Sequence, residues 1–292
     1  MDIDAAVTFL TTHGRLLERR RLSTLLGEGT AVDVLFALDG YRNADGGYGW
    51  GLEPDLRSTT SQPVGAMHAL EVFAELPDAT SRHPMRLCDW LAGHTLPDGG
   101  VPFALPFADQ AGSAGHWVGA DPTVSSLQMT AQLAAMACRL ARHRADVAGH
   151  PWLAGTTTYC LDAIDALTQA PSAHELMFAV RFLDVVADTV PRARGLLDRL
   201  TGWVVTDGPT PVAGGAEGEV LHPLDFSPYA DAPSRSVISA EALAVDRDRL
   251  AADQQADGGW PVTFRPPSPA AALEWRGYAT VAAIAVLRGA TL

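Results

Sequence analysis

Three segments of this chain share one sharp corner: Asp45-Gly46-Gly47-Tyr48, Asp98-Gly99-Gly100-Val101 and Asp257-Gly258-Gly259-Trp260. In each, a leucine stands seven residues before the aspartate (Leu38, Leu91, Leu250). A fourth copy runs from Leu200 to Asp207-Gly208, where Pro209 replaces the second glycine. Adjacent glycines reach backbone conformations that a Cβ resists, so each copy predicts a tight turn out of a helix. The aspartates imply a period of roughly fifty residues, which is the signature of a helical repeat array. The gap between Asp98 and Asp207 spans two periods, so a degenerate copy is expected near Trp152 to Gly155.

Apolar periodicity places helices at about 4–21, 30–41, 59–75, 81–94, 123–144, 151–169, 173–190, 191–205, 234–244, 246–255 and 271–289. They fall into two kinds. Those that follow the glycine corners and long loops (59–75, 123–144, 173–190, 271–289) are apolar on every side, which requires burial on two faces. Those that precede the loops (81–94, 191–205, 246–255) carry a charged face. Concentric rings account for both, so the fold expected is all-α: a single α/α toroid over residues 1–292, with about six inner and five to six outer helices. Segments 4–21 and 271–289 would have to meet to close it. An open solenoid of helix pairs is the alternative.

Composition sets limits. Hydrophobic residues make up 47% and charged ones 19%, and the longest apolar run, near Ala279 to Leu287, falls short of the ~20 residues of a membrane span. No basic and apolar leader opens the chain, so a cytoplasmic location is expected. Cys88, Cys138 and Cys160 sit in apolar helical settings without metal-ligand spacing and read as reduced core residues. A net charge of −13 argues against nucleic acid and anionic membrane surfaces as partners.

The stretch Leu250, Gln254, Gly258, Trp260 resembles the QW repeat of the squalene and oxidosqualene cyclase family, and protein prenyltransferase β-subunits share the toroid with a related glycine-rich repeat. The resemblance implies an α/α toroid in which Gln254 and Trp260 are structural staples. The other copies keep the glycines and lose the partners, with Arg42 and Tyr48, then Thr95 and Val101. The catalytic motifs of that superfamily are missing: no Asp-x-Asp-Asp tetrad, no Asp-Asp-x-x-Asp metal motif, and no prenyltransferase-type zinc set. No metal or other cofactor is therefore expected.

A toroid gathers the starts of its inner helices, with the loops before them, around one mouth. Candidate acids and bases recur there: Glu53 and Asp55, Asp121, His174-Glu175, then His222, Asp225 and Asp231, with Glu274 at the last helix. A carboxyl group held in an apolar cavity has a raised pKa and can serve as a general acid. Glu53, Asp55 and Asp225 are the catalytic candidates, although Asp121 also reads as a helix cap and Arg181 with Asp184 as an ordinary i,i+3 pair. Trp50, Trp117, Phe178, Tyr229, Trp275 and Tyr278 are expected near the mouth, where aromatic faces stabilise cations. Arg57, Arg235 and Arg276 near inner helix starts could bind an anion or pair internally. The function expected is acid/base chemistry (cyclisation, isomerisation or lyase-type) on an apolar, isoprenoid-like substrate. A non-catalytic binding module and a carbohydrate-active enzyme using two carboxylates are the alternatives.

Overall fold

The computed structural model describes residues 1–289. The chain forms α1 (Ile3–His13), α2 (Leu16–Leu25), α3 (Ala31–Asp39), α4 (Pro63–Glu75), α5 (His83–Gly93) and the one-turn α6 (Gly115–Val118). Then come α7 (Leu127–Ala141), the short α8 (Ala145–Ala148), α9 (Pro151–Asp165), α10 (Ala173–Val186) and α11 (Pro191–Thr201). A two-stranded hairpin, β1 (Thr210–Pro211) with β2 (Val220–Leu221), leads to the one-turn α12 (Pro223–Phe226), α13 (Ala240–Ala252) and α14 (Pro269–Arg288). The fold is all-α apart from that hairpin.

Packing order closes the chain on itself. Helix α4 packs on α7, α7 on α10, α10 on α12, α12 on α13, α13 on α14, and α14 on both α1 and α2. Arg21 of α2 pairs with Glu75 of α4 and completes the circuit. Outer helices pack outside this circuit in pairs with it: α3 on α2 and α4, α5 on α4, α9 on α7, α11 on α10, and α1 on α14 and α2. The seam has its own apolar cluster, built from Phe9, Leu10, Leu22, Trp260, Val281, Ile284 and Leu287, beside the large core that runs through the other pairs.

The glycine corners explain how pairs register against one another. Gly46, Gly99 and Gly258 have φ of +96°, +91° and +92°. In each corner the aspartate carboxylate accepts the amide of the second glycine, at 3.0, 3.0 and 3.1 Å. The first glycine faces the backbone of the next outer helix. An added Cβ would lie 3.0 Å from the Arg86 carbonyl of α5, 3.2 Å from the Gly155 carbonyl of α9, and 2.1 Å from the Ala5 carbonyl of α1. The last corner therefore docks on the first helix. Gln254 reinforces it, exchanging two hydrogen bonds with the Asp2 backbone (2.6 and 2.7 Å), while the buried Trp260 indole donates to the Leu250 carbonyl at 2.7 Å.

Several expectations are corrected here. Residues Trp152 to Gly155 lie inside α9 and form no corner; Gly155 is instead the surface that Gly99 docks on. The missing corner belongs to the α9–α10 connection at 166–172, which has no glycine pair. Gly208 does not take a positive φ and meets nothing nearby, because Pro209 sends the chain into the β-hairpin. Segment 4–21 breaks at Gly14 and Arg15, both extended, where Arg15 donates to the Gly51 and Leu52 carbonyls. Segments 234–244 and 246–255 become a 3-10 turn at Pro233–Ser236 followed by the single helix α13. By length and composition the 20-residue α14 is apolar enough to cross a membrane; its uninterrupted apolar run is shorter because Glu274 and Arg276 interrupt the helix before Ala279. In the fold it packs against α1, α2 and α13.

Candidate functional site

The inner helices surround a cavity of about 560 Å³, within the range of roughly 300–1,000 Å³ typical of small-molecule sites. Its mouth is formed by the loop before α4, by α6, by the start of α10, by the hairpin and by the start of α14. The stacked pair Phe103 and Trp117 (centroids 4.5 Å apart, planes at 10°) forms one wall; Phe264, Trp275 and Tyr278, each edge-on to the next, form another. His174 at the start of α10 pairs with Glu219 of the hairpin at 3.0 Å, which fixes the hairpin to the rim.

Charge enters this apolar wall on one stripe of α4. His68, Glu71 and Glu75 follow one another at helical spacing and face inward. His68 Nε2 meets Glu53 Oε2 at 2.8 Å, and its Nδ1 meets Glu71 Oε2 at 2.8 Å. Glu71 also accepts from Gln132 Nε2 at 3.0 Å and from the Tyr278 hydroxyl at 3.2 Å. Burial opposes a charge on His68, but the carboxylates of Glu71 and Glu53 outweigh it and raise its pKa to about 9. Both ring nitrogens therefore donate at neutral pH, and His68 is an imidazolium clamped between two carboxylates. Burial alone would raise Glu71; the His68 charge overcomes it and lowers the carboxyl below its ordinary value.

Asp55 stands apart from that chain of bonds. It is 7% exposed, its backbone amide donates to Glu53 Oε1 at 3.2 Å, and its Oδ1 accepts from Trp275 Nε1 at 2.8 Å. Burial first, and the neighbouring Glu53 charge second, push its pKa up to about 7, against the Trp275 bond, which favours the ionised form. A carboxyl poised there can both give and take a proton at neutral pH.

The other sequence candidates divide cleanly. Trp117, His174, His222, Asp225, Tyr229, Trp275 and Tyr278 line the cavity with Glu53 and Asp55. Asp225 is held in a capping role, its Oδ2 accepting the His222 amide at 2.7 Å, and burial raises its pKa. Tyr229 lies beneath the Arg139 guanidinium, 3.7 Å from its ring centroid. Eight candidates are not in the wall: Trp50, Arg57, Asp121 and Arg276, and also Glu175, Asp231, Arg235 and Glu274. Trp50, at φ +58° and 56% exposed, turns outward and donates to Asn43 at 2.8 Å. Asp121 is exposed and holds the amide and hydroxyl of Thr123, while Ser126 caps α7. Arg276 is taken by Asp257 of the last corner (2.7 and 2.9 Å) and covers Phe9. Arg57 lies at the rim, paired with Glu274. The expected Arg181–Asp184 pair is absent too: Asp184 accepts from the amide and hydroxyl of Ser234, at 2.7 and 2.6 Å.

Sequence reasoning missed His68, Glu71, Gln132 and Glu219. The signal for the first two was present as polar residues at i and i+3 on a helix otherwise apolar all round. Glu219 lies in a loop, and nothing in the sequence links it to His174. Among the described residues no three His, Cys, Asp or Glu side chains are placed to hold a metal ion.

No protein-family model matches the chain, and no curated protein matches it. Among solved structures it is similar to a protein from Actinoplanes, at 18% identity and a TM-score of 0.54, over 98% of this chain and 89% of that one. At that identity the likeness is one of fold.

Proposed function

We propose that this chain is an enzyme of the terpene-cyclase-like kind, performing acid/base chemistry on a largely apolar, isoprenoid-like substrate held in the central cavity. The observation that carries the reading is Asp55, a carboxyl with a pKa of about 7 at the mouth of an aromatic-walled cavity. In a cyclisation or isomerisation its proton passes from the carboxyl oxygen to one substrate atom. The resulting carboxylate takes a proton back from a neighbouring atom, so the enzyme ends as it began. Trp275, Tyr278 and Trp117 would face the positive charge that develops between the two transfers. Glu53 holds the Asp55 loop and keeps the Asp55 proton in place by its own charge. Asp225, engaged with His222, is the weaker candidate for the acid.

The test is turnover of a panel of isoprenoid alcohols and hydrocarbons, followed by gas chromatography and mass spectrometry. Asp55→Asn is expected to abolish turnover with the fold intact by circular dichroism. Unchanged turnover in Asp55→Asn and in Glu53→Gln would refute the assignment. The reading of a non-catalytic binding module is favoured by one observation: Glu53, His68 and Glu71 satisfy one another completely, as a shape-keeping wall would. Under that reading the panel binds and no product appears.

A further inference from the structure

Arg181 is the arginine of the cavity wall whose charge the protein leaves open. Arg21 is bonded to Glu75, and Arg249 to Asp246 and Asp253. Arg181 makes one hydrogen bond, from Nε to the Asp225 carbonyl at 2.7 Å, and its guanidinium lies 5.7 Å from the Phe178 ring centroid; among the described residues no carboxylate forms an ion pair with it. Two carboxyl groups that feel its charge are engaged elsewhere, Asp225 by the His222 amide and Asp184 by Ser234. The Nε bond fixes the plane of the guanidinium and leaves its two terminal amines for a ligand.

Resting on the reading of the cavity as a site for a largely apolar substrate, we infer that Arg181 anchors an oxyanion, carboxylate or phosphate, at one end of that substrate. A guanidinium fork matches such a group with two parallel hydrogen bonds. An unpaired charge in a wall of low polarity is costly, and a ligand that neutralises it gains accordingly. Position adds a length to the chemistry. Arg181 lies seven residues, about 10 Å at 1.5 Å per residue, along α10 from His174 at the rim. The anion would therefore sit deep, and the apolar body would run outward past Tyr278 and Trp275 to Asp55. The substrate class is an amphipathic anion whose reacting atoms lie about two helical turns from its charged end.

The test uses the full-length protein and four probes with one ten-carbon chain: decanoate, decyl phosphate, decanol and decyltrimethylammonium, all below their micelle concentrations. Binding is read from the fluorescence of the cavity tryptophans. At least one of the two anions is expected to bind about 10- to 100-fold more tightly than decanol, the range for a hydrogen bond to a charged group. Arg181→Gln should bring that anion to the decanol level while decanol itself is unchanged. Arg181→Lys, which keeps the charge and loses the fork, should restore part of the preference, and Asp55→Asn should leave it intact. Decanol binding as well as both anions, or a preference that survives in folded Arg181→Gln, would overturn the inference and leave the acid/base reading standing. Failure of all four probes to bind would sink both. A preference for the anion together with full turnover in Asp55→Asn would sink only the acid/base assignment.

Discussion

Removing the imidazole from between its two carboxylates should cost stability, and the cost should shrink as pH rises. In His68→Gln, Glu53 and Glu71 remain buried without their shared cation. Breaking a buried pair from one side costs about 3–5 kcal/mol. An independent figure follows from titration. The rise of the His68 pKa from 6.5 to about 9, at about 1.4 kcal/mol per pH unit, is worth on the order of 3 kcal/mol. Because the folded value is raised, this stabilisation is fully present below pH 6.5 and is lost as pH climbs through 9. The difference between wild type and His68→Gln should therefore fall by on the order of 2 kcal/mol between pH 7 and pH 9.5. Urea denaturation of both proteins at the two pH values, followed by far-ultraviolet circular dichroism, measures it. Comparing the two proteins at each pH cancels groups they share, Asp55 among them. A gap equal at both pH values would refute a charged His68, and a gap under about 1 kcal/mol at pH 7 would refute its role as a buried clamp.

Three further outcomes are expected. Gly258→Ala should destabilise by about 3 kcal/mol or more, combining a left-handed backbone with a clash against the α1 carbonyl. Gly208→Ala, which meets nothing, should stay within about 0.5 kcal/mol, and equal effects in chemical denaturation would refute the docking role of the corners. Turnover should fall as pH rises above 7, where Asp55 loses its proton. Trp275→Phe, which removes the bond favouring ionised Asp55, should move that alkaline limb upward, and a limb unmoved in the pH–rate profile would detach Asp55 from it. The thiols of Cys88 and Cys160, both buried and both raised well above the ordinary value by that burial, should react with a disulfide reagent only on unfolding; rapid labelling of the native protein at neutral pH would contradict their placement.

Much of the fold is legible in the sequence because burial on two faces leaves a compositional mark. Helices α4, α7, α10 and α14 are apolar on most sides, and that marks them as inner; the charged α2 and the one-turn α12 carry no such mark. The Asp-Gly-Gly corners are legible for the same reason that they work, since the positive φ and close backbone approach exclude other residues. The corner at 166–172 is silent because it is made without glycines. At the site, residues in loops that converge on the mouth could be anticipated from topology, so Glu53, Asp55, His174 and Trp275 were within reach. Trp50 was not, because its direction depends on one left-handed residue in an irregular loop. His68 and Glu71 were overshadowed by the apolar majority of α4. The Arg181–Asp184 expectation failed because Ser234, distant in sequence, offers Asp184 two neutral donors at closer range than its helical neighbour.

The docking of Gly258 on Ala5 also sets an order of events during synthesis. Helix α1 leaves the ribosome more than 200 residues before residues 250–288, the segment whose surface it covers. Until then Phe9 and Leu10 can meet only Leu22 of α2, and the nascent chain carries part of that apolar face uncovered. Contacts of such long sequence separation are slow to form and leave apolar surface open to other chains. The vulnerable period for this protein is thus the interval before α13 and α14 emerge, when a chaperone would have the most to shield.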